Sequence, residues 1–156
     1  MGMSGRDLTT MLASSDIIVD LAQSEKQLVL EAVAQRISAR HRLSSTEVYS
    51  RLRRREEIGS TGLGRGLALP HAGVSGLKQP ITSFVRLRSP VSFAAPDRGP
   101  VRDMLLLLMP QDAASRHLML VVRIAEICCA AVFRESVRAC VDECQIRAVL
   151  SHALRL

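Results

Sequence analysis

The run "MLLLLM", residues 104–109, is ended by Pro110. It constrains the fold more than any other stretch of the chain. Six large apolar side chains in succession leave no polar face, and the run is far too short to cross a bilayer, which takes about 20 apolar residues. It fits a strand buried on both faces, as in a sheet that is covered on both sides. A second strand is written in "ITSFVRLRS", residues 81–89. There Ile81, Ser83, Val85 and Leu87 alternate with Thr82, Phe84, Arg86 and Arg88, a period of 2 with β-branched enrichment.

Helical signals flank these strands. Ser24 with Gln27 fits a capping box, and Leu28, Ala32, Val33 and Ile37 follow at helical spacing, which predicts a helix over 25–40. Ser44 with Glu47 forms a second box, opening a helix with Val48, Leu52 and a charged end at Arg53–Glu57. Asp112 is a cap candidate for a third long helix, with Leu118, Val121, Ala125 and Cys128 on its stripe. Asp142 with Gln145 opens the last one, with Ile146, Val149, Leu150, Ala153 and Leu154 as its stripe. Residues 1–23 read as an entry segment of mixed strand and turn character, and 89–100 as turn-rich. Helices, then strands, then helices predict an α/β fold with the sheet sandwiched between helices. A length of 156 residues suits one domain over 1–156. Neither a G-x-G-x-x-G entering a helix nor a G-x-x-x-x-G-K-[ST] loop is present.

The net charge of +6 and pI of about 9.9 raise the question of nucleic acid. The basic residues are scattered, however. The exceptions are Arg51 and the run Arg53, Arg54, Arg55, which Glu56 and Glu57 offset at once. Aromatic residues amount to 3%, too few for stacking platforms. The charge instead suits steering toward an acidic or phosphorylated partner, with no nucleic acid. The first residues lack the apolar core of a signal peptide, so the expectation is a cytoplasmic protein without membrane insertion. Cys128, Cys129, Cys140 and Cys144 have poor spacing for a metal clamp and read as buried thiols acting as small hydrophobes. No metal site is expected.

"GSTGLGRGLALPHAGVSG", residues 59–76, holds too many glycines for a helix and too many apolar residues for a linker. "LAL" before Pro70 reads as a short strand, and Pro70 biases Leu69 to an extended shape. His71 then stands at a strand end or a loop start. A nucleophilic histidine needs one free ring nitrogen, the other fixed by a hydrogen bond, and donors where the transferred oxygens will lie. Ser60 and Thr61 offer hydroxyls, and Gly62, Gly64 and Gly66 offer unobstructed N–H groups. From these residues alone, a surface or packing role for His71 carries more weight. His117 lies one turn into the third helix, where N–H groups favour anions. His41 and His152 are read as structural.

"REEIGSTGLGRGLALPH", residues 55–71, together with "SFVRLRSPVSFAAPDRGPV", "LLLLMP" and "SRHL", resembles the IIA domains of the mannitol/fructose type in the bacterial phosphoenolpyruvate-dependent phosphotransferase system. Within that family it is most similar to the nitrogen-regulatory IIA branch. The resemblance runs in order over roughly residues 7–151. It implies a mixed β-sheet sandwiched between helices, with His71 as phospho-acceptor, His117 as a supporting histidine and Arg55 beside the phosphate. It also implies phosphate or partner contacts at Ser60, Thr61, Gly62 and Gly64. The donor it implies is a histidine-phosphorylated HPr/NPr-like carrier, and no cofactor is needed. The phosphorylation state would control binding to target proteins such as transporters or sensor kinases. Two other readings stay open: a fructose- or mannitol-specific IIA that passes the group to a IIB cysteine, and an interaction module that is not phosphorylated. Two positions depart from the family pattern. Ala72 stands where a glycine usually follows the histidine. Arg102 stands where an aspartate usually follows "PV", with Asp103 one residue later.

Overall fold

The computed structural model describes residues 4–112 and 114–155. In chain order these form α1 (Gly5–Ala13), β1 (Asp16–Leu21), α2 (Lys26–His41), α3 (Ser45–Ile58), β2 (Gly62–Gly64), β3 (Leu67–Ala68) and β4 (His71–Val74). There follow β5 (Ile81–Ser92), β6 (Pro100–Pro110), α4 (Ala114–Cys129), α5 (Ala131–Ala139), α6 (Glu143–His152) and a last 3₁₀ turn, Ala153–Arg155.

The apolar run becomes β6, the centre of the sheet, whose strand order is β1-β5-β6-β3-β2. β5 lies antiparallel on one side of β6, and β3 and β4 lie parallel to it, end to end, on the other. β1 is parallel to β5 and β2 antiparallel to β3, so the sheet is mixed. Alternation along β6 splits its side chains between two cores. Met104, Leu106 and Leu108 pack with Val29, Val33, Ile37, Val48 and Leu52 of α2 and α3. Leu105, Leu107 and Met109 pack with Leu8, Leu12, Ile124, Phe133 and Ile146 of α1, α4, α5 and α6. Helices therefore cover both faces, as the doubly buried strand requires.

The polar side of β5 does not face water. Thr82, Ser83 and Arg86 are buried. The Thr82 hydroxyl pairs with that of Ser15. Arg86 forks onto Asp103, its cross-strand neighbour, at 2.7 and 3.0 Å. It also donates to the carbonyls of Val137 and Cys140 at the end of α5. Arg102 is exposed. The one-residue offset therefore turns the aspartate into the protein, where it holds an arginine that ties a helix to the sheet.

Several sequence expectations change. The entry segment contains a helix, α1, opened by a capping box in which Ser4 and Asp7 bond each other's backbone. α5 was not foreseen; its cap residue, Ala130, makes no side-chain bond. The Ser24 box does not form, because α2 starts from Glu25 without a side-chain cap. Ser44 caps Glu47 N–H, but the Glu47 carboxylate turns to Ser75 N–H. The cap expected from Asp112 involves the stretch at residue 113, which lies outside the described residues. Asp142 does cap the last helix through Gln145 N–H. Cys128 and Cys140 are buried as expected, whereas Cys129 and Cys144 are exposed.

Candidate active site

The site begins where α3 ends. Val48, Leu52 and Glu56 are spaced i, i+4, i+8 on the inner stripe of that helix, and all three are buried. A carboxylate placed there must be compensated. Thr61 N–H reaches both its oxygens (3.1 and 3.2 Å), the Thr61 hydroxyl bonds Oε2, and Lys26 Nζ lies 3.1 Å from Oε1. The turn after the helix is pinned by these bonds. Beside it the Ser60 hydroxyl donates to Phe93 C=O and accepts from Gly62 N–H. A side chain at Gly62 has no room, since a Cβ there would lie 2.7 Å from Ala95 Cβ.

The chain then runs out along β2 and back along β3. Leu69 N–H bonds Thr61 C=O at 2.9 Å and closes the base of this hairpin. Pro70 has no N–H to give, and its carbonyl accepts from Leu107 N–H. His71 follows as the first residue of β4, in register with Leu107.

Two bonds fix its ring. Arg55 Nε lies 3.0 Å from Nε2, and Leu69 C=O lies 2.9 Å from Nδ1. A guanidinium only donates and a carbonyl only accepts. Hence Nδ1 carries the hydrogen and Nε2 carries the lone pair. Arg55 is itself steadied by a bond from its terminal nitrogen to Gly59 C=O at 2.9 Å. Burial pushes the His71 pKa below its ordinary value of 6.5. The hydrogen bond to the Leu69 carbonyl opposes this, the Arg55 cation adds to it, and the Glu56 carboxylate opposes it least. His71 is therefore a neutral imidazole at pH 7, half-buried, with its lone-pair nitrogen facing a cation.

His117 sits in the first part of α4, on the layer that Leu107 faces. It is half-buried, and its Nε2 has no hydrogen-bond partner among the described residues. Burial lowers its pKa too.

The residues singled out from the sequence thus separate. His71 and Arg55 are in direct contact. The Ser60 and Thr61 hydroxyls are engaged by a carbonyl and by Glu56, so they build the turn and do not face the ring. Buried polar groups are satisfied within the protein, and here a carbonyl and a carboxylate take these hydroxyls. Gly62 permits a close approach. Gly64 pairs with Leu67 at the tip of the hairpin, the end away from His71. There Asp97 accepts from Arg65 N–H at 2.7 Å, so an acidic group already occupies the tip. Glu56 is the residue that sequence reasoning missed. It was read as one of two glutamates offsetting an arginine run, although its i+4 spacing from Leu52 places it on the buried stripe. His41 bonds Asp16 through Nε2; His152 is exposed and bonds only its own helix.

Comparison with known proteins identifies the family and the fold. The model of the family described as "Phosphoenolpyruvate-dependent sugar phosphotransferase system, EIIA 2" matches residues 10–153. A nitrogen regulatory protein of Pseudomonas aeruginosa is 33% identical over 133 residues, covering 85% of this chain and 86% of that one. One from Bradyrhizobium diazoefficiens is 30% identical over 144 residues, covering 92% and 94%. The crystal structure of nitrogen regulatory protein IIA-Ntr from Neisseria meningitidis superposes with a TM-score of 0.80 at 33% identity, over 91% of this chain and 97% of that one. The mannitol IIA of Escherichia coli shares the fold, with a TM-score of 0.70 at 14% identity over 86% and 95%.

Proposed function

The chain belongs to the EIIA 2 family of the phosphoenolpyruvate-dependent sugar phosphotransferase system, and from that premise we propose that it is a regulatory phosphocarrier of the nitrogen-related branch, phosphorylated on His71. The observation that carries this reading is the ring's hydrogen bonding, which leaves the Nε2 lone pair as the reactive one.

The step is an in-line transfer between two imidazoles. A histidine-phosphorylated HPr/NPr-like carrier docks, and His71 Nε2 attacks the phosphorus. The donor's P–N bond breaks, and its electron pair stays on the donor ring. The Nδ1 hydrogen of His71 stays on Nδ1, hydrogen-bonded to Leu69 C=O, and the donor leaves as a neutral imidazole with hydrogen on its other ring nitrogen, so no proton has to leave His71 during the transfer. Phosphoryl transfer asks the protein mainly for position and charge. Arg55, released from the lone pair, stands beside the incoming phosphoryl oxygens, and His117 serves as a supporting donor. Ile58 (83% exposed), Leu118 (66%) and Met119 (62%) flank these residues in sequence. Exposed apolar side chains of this size suit a docking protein.

The nitrogen-regulatory reading rests on relatives of that name whose whole length the chain nearly spans. Its targets are proteins such as transporters or sensor kinases, and its place is the cytoplasm. Among the described residues no helix is long and apolar enough to cross a membrane. Incubation with phosphoenolpyruvate, enzyme I and the carrier tests the proposal by intact mass. One added phosphoryl group in the wild type, absent in His71→Ala, is expected. No gain in the wild type overturns phosphoryl acceptance and leaves an interaction module. Onward transfer to a fructose- or mannitol-specific IIB cysteine overturns the purely regulatory role.

A further inference from the structure

Both nitrogens of His71 are held by groups that lead back to one buried carboxylate. Nδ1–H donates to Leu69 C=O, and Leu69 N–H donates to Thr61 C=O. Thr61 N–H and its hydroxyl donate to Glu56. Lys26, from the first turn of α2, completes the series at 3.1 Å from Glu56 and also reaches toward Phe93 C=O. On the other side of the ring, Nε2 meets Arg55, the neighbour of Glu56 in the last turn of α3. The links pass through the Cα atoms of Thr61 and Leu69, so they transmit position. Glu56 is only 8% exposed, and a charge kept there is costly unless its partners are complete.

We propose that Glu56, anchored by Lys26, is a positioning residue for phosphoryl acceptance. It fixes the base of the hairpin so that Leu69 C=O holds the Nδ1 hydrogen of His71, and it fixes the last turn of α3 so that Arg55 meets Nε2. It touches neither the ring nor the transferred group. A histidine that loses this support gains access to the other tautomer, in which the hydrogen sits on Nε2 and no lone pair is available for attack. The proposal deepens the functional reading above and rests on it for its kinetic arm; the tautomer arm is read on unphosphorylated protein.

Glu56→Gln tests it. The amide removes the charge and keeps only one of the two oxygens that Thr61 N–H and Lys26 share, so the anchor is weakened at nearly constant volume. Ring nitrogen chemical shifts of His71 in ¹⁵N-labelled protein report the tautomer. The wild type is expected to show one species, with hydrogen on Nδ1, and Glu56→Gln a mixture. The same variant is expected to lose about tenfold in the rate of phosphoryl acceptance, the order seen when an outer support of a reactive histidine is removed, with KM for the carrier unchanged. Lys26→Met is expected to move both readings the same way. A single Nδ1–H tautomer together with the wild-type rate in Glu56→Gln overturns the proposal. If that variant does not fold, Thr61→Val removes the hydroxyl link alone and is judged by the same two readings. A wild type that accepts no phosphoryl group overturns the functional reading only, and the tautomer still decides whether Glu56 positions the ring.

Discussion

Arg55 Nε–H donates to His71 Nε2 across 3.0 Å, so the nitrogen proposed to attack is already hydrogen-bonded to a cation. In the proposed transfer the charge that a phosphoryl group needs is therefore beside the ring before the group arrives. The same bond has to be given up for attack. Arg55 is therefore the resting partner of the lone pair and, in the proposed transfer, the counter-charge of the product.

Arg55→Met is expected to slow phosphoryl acceptance by about 100-fold, the usual result of losing a preorganised donor. Arg55→Lys should fall between, because an ammonium keeps the charge but loses the planar fork that also holds Gly59 C=O. Rapid-quench transfer from the phosphorylated carrier measures this. A wild-type rate in Arg55→Met would remove Arg55 from the mechanism.

The depressed pKa of His71 sets a pH dependence whose sign is fixed. Burial, aided by Arg55, disfavours the charged ring in the folded state. Between the lowered folded pKa and the ordinary value of 6.5, the unfolded chain binds more protons than the folded one. Stability contributed by this group is therefore complete above pH 6.5 and is lost as pH falls through that window. The acceptance rate should follow the neutral fraction of the folded ring, level from pH 7 to 8 and falling with a midpoint below 6.5. An NMR titration of His71 with a midpoint above 6.5 would contradict it. In Arg55→Met the midpoint should rise, since one cause of the depression is gone.

His117 is expected to support transfer without supporting the fold. Its half-buried ring and unpartnered Nε2 mean that removing it breaks no internal hydrogen bond among the described residues. His117→Ala should keep the wild-type melting temperature and accept the phosphoryl group about tenfold more slowly, within the range for a positioned proton-bearing group. Unchanged kinetics would make it a helix-surface residue.

Residues whose roles depend on local spacing were readable from the sequence. The doubly buried β6, the strand at 81–89 and the last helix cap all follow from periods and turn chemistry, whereas His71, expected at a strand end or loop start, opens the unforeseen strand β4. What escaped depended on partners distant in the chain. The alternation at 81–89 does not show that Thr82 and Arg86 are buried, because the groups that meet them inside the protein are Ser15 and Asp103. The hydroxyls of Ser60 and Thr61 looked free for phosphate until Phe93 and Glu56 arrived to take them. α5 escaped because its nine residues begin at an alanine cap and carry no polar start signal. Ser24 failed as a cap because a capping pair is only one of several ways to begin a helix whose apolar face is well packed.

The offset of the aspartate to Asp103 can be tested against Arg102, the residue in its usual place. Arg86 is 7% exposed and Asp103 5%, and together with the two carbonyls at the end of α5 they form a closed set of charge-assisted bonds. Asp103→Ala leaves the Arg86 guanidinium buried without its counter-charge, which costs about 3 kcal/mol or more and lowers the melting temperature by roughly 10 °C. Replacing both partners, Arg86→Met with Asp103→Leu, removes the stranded charge and should recover most of that loss. Arg102→Ala, on the exposed side of the same strand, should stay within about 0.5 kcal/mol of wild type. Thermal unfolding of the three variants separates the cases. A large loss in Arg102→Ala, or none in Asp103→Ala, would mean that the aspartate does not act through Arg86. The offset would then have to be explained at the phosphorylation site instead.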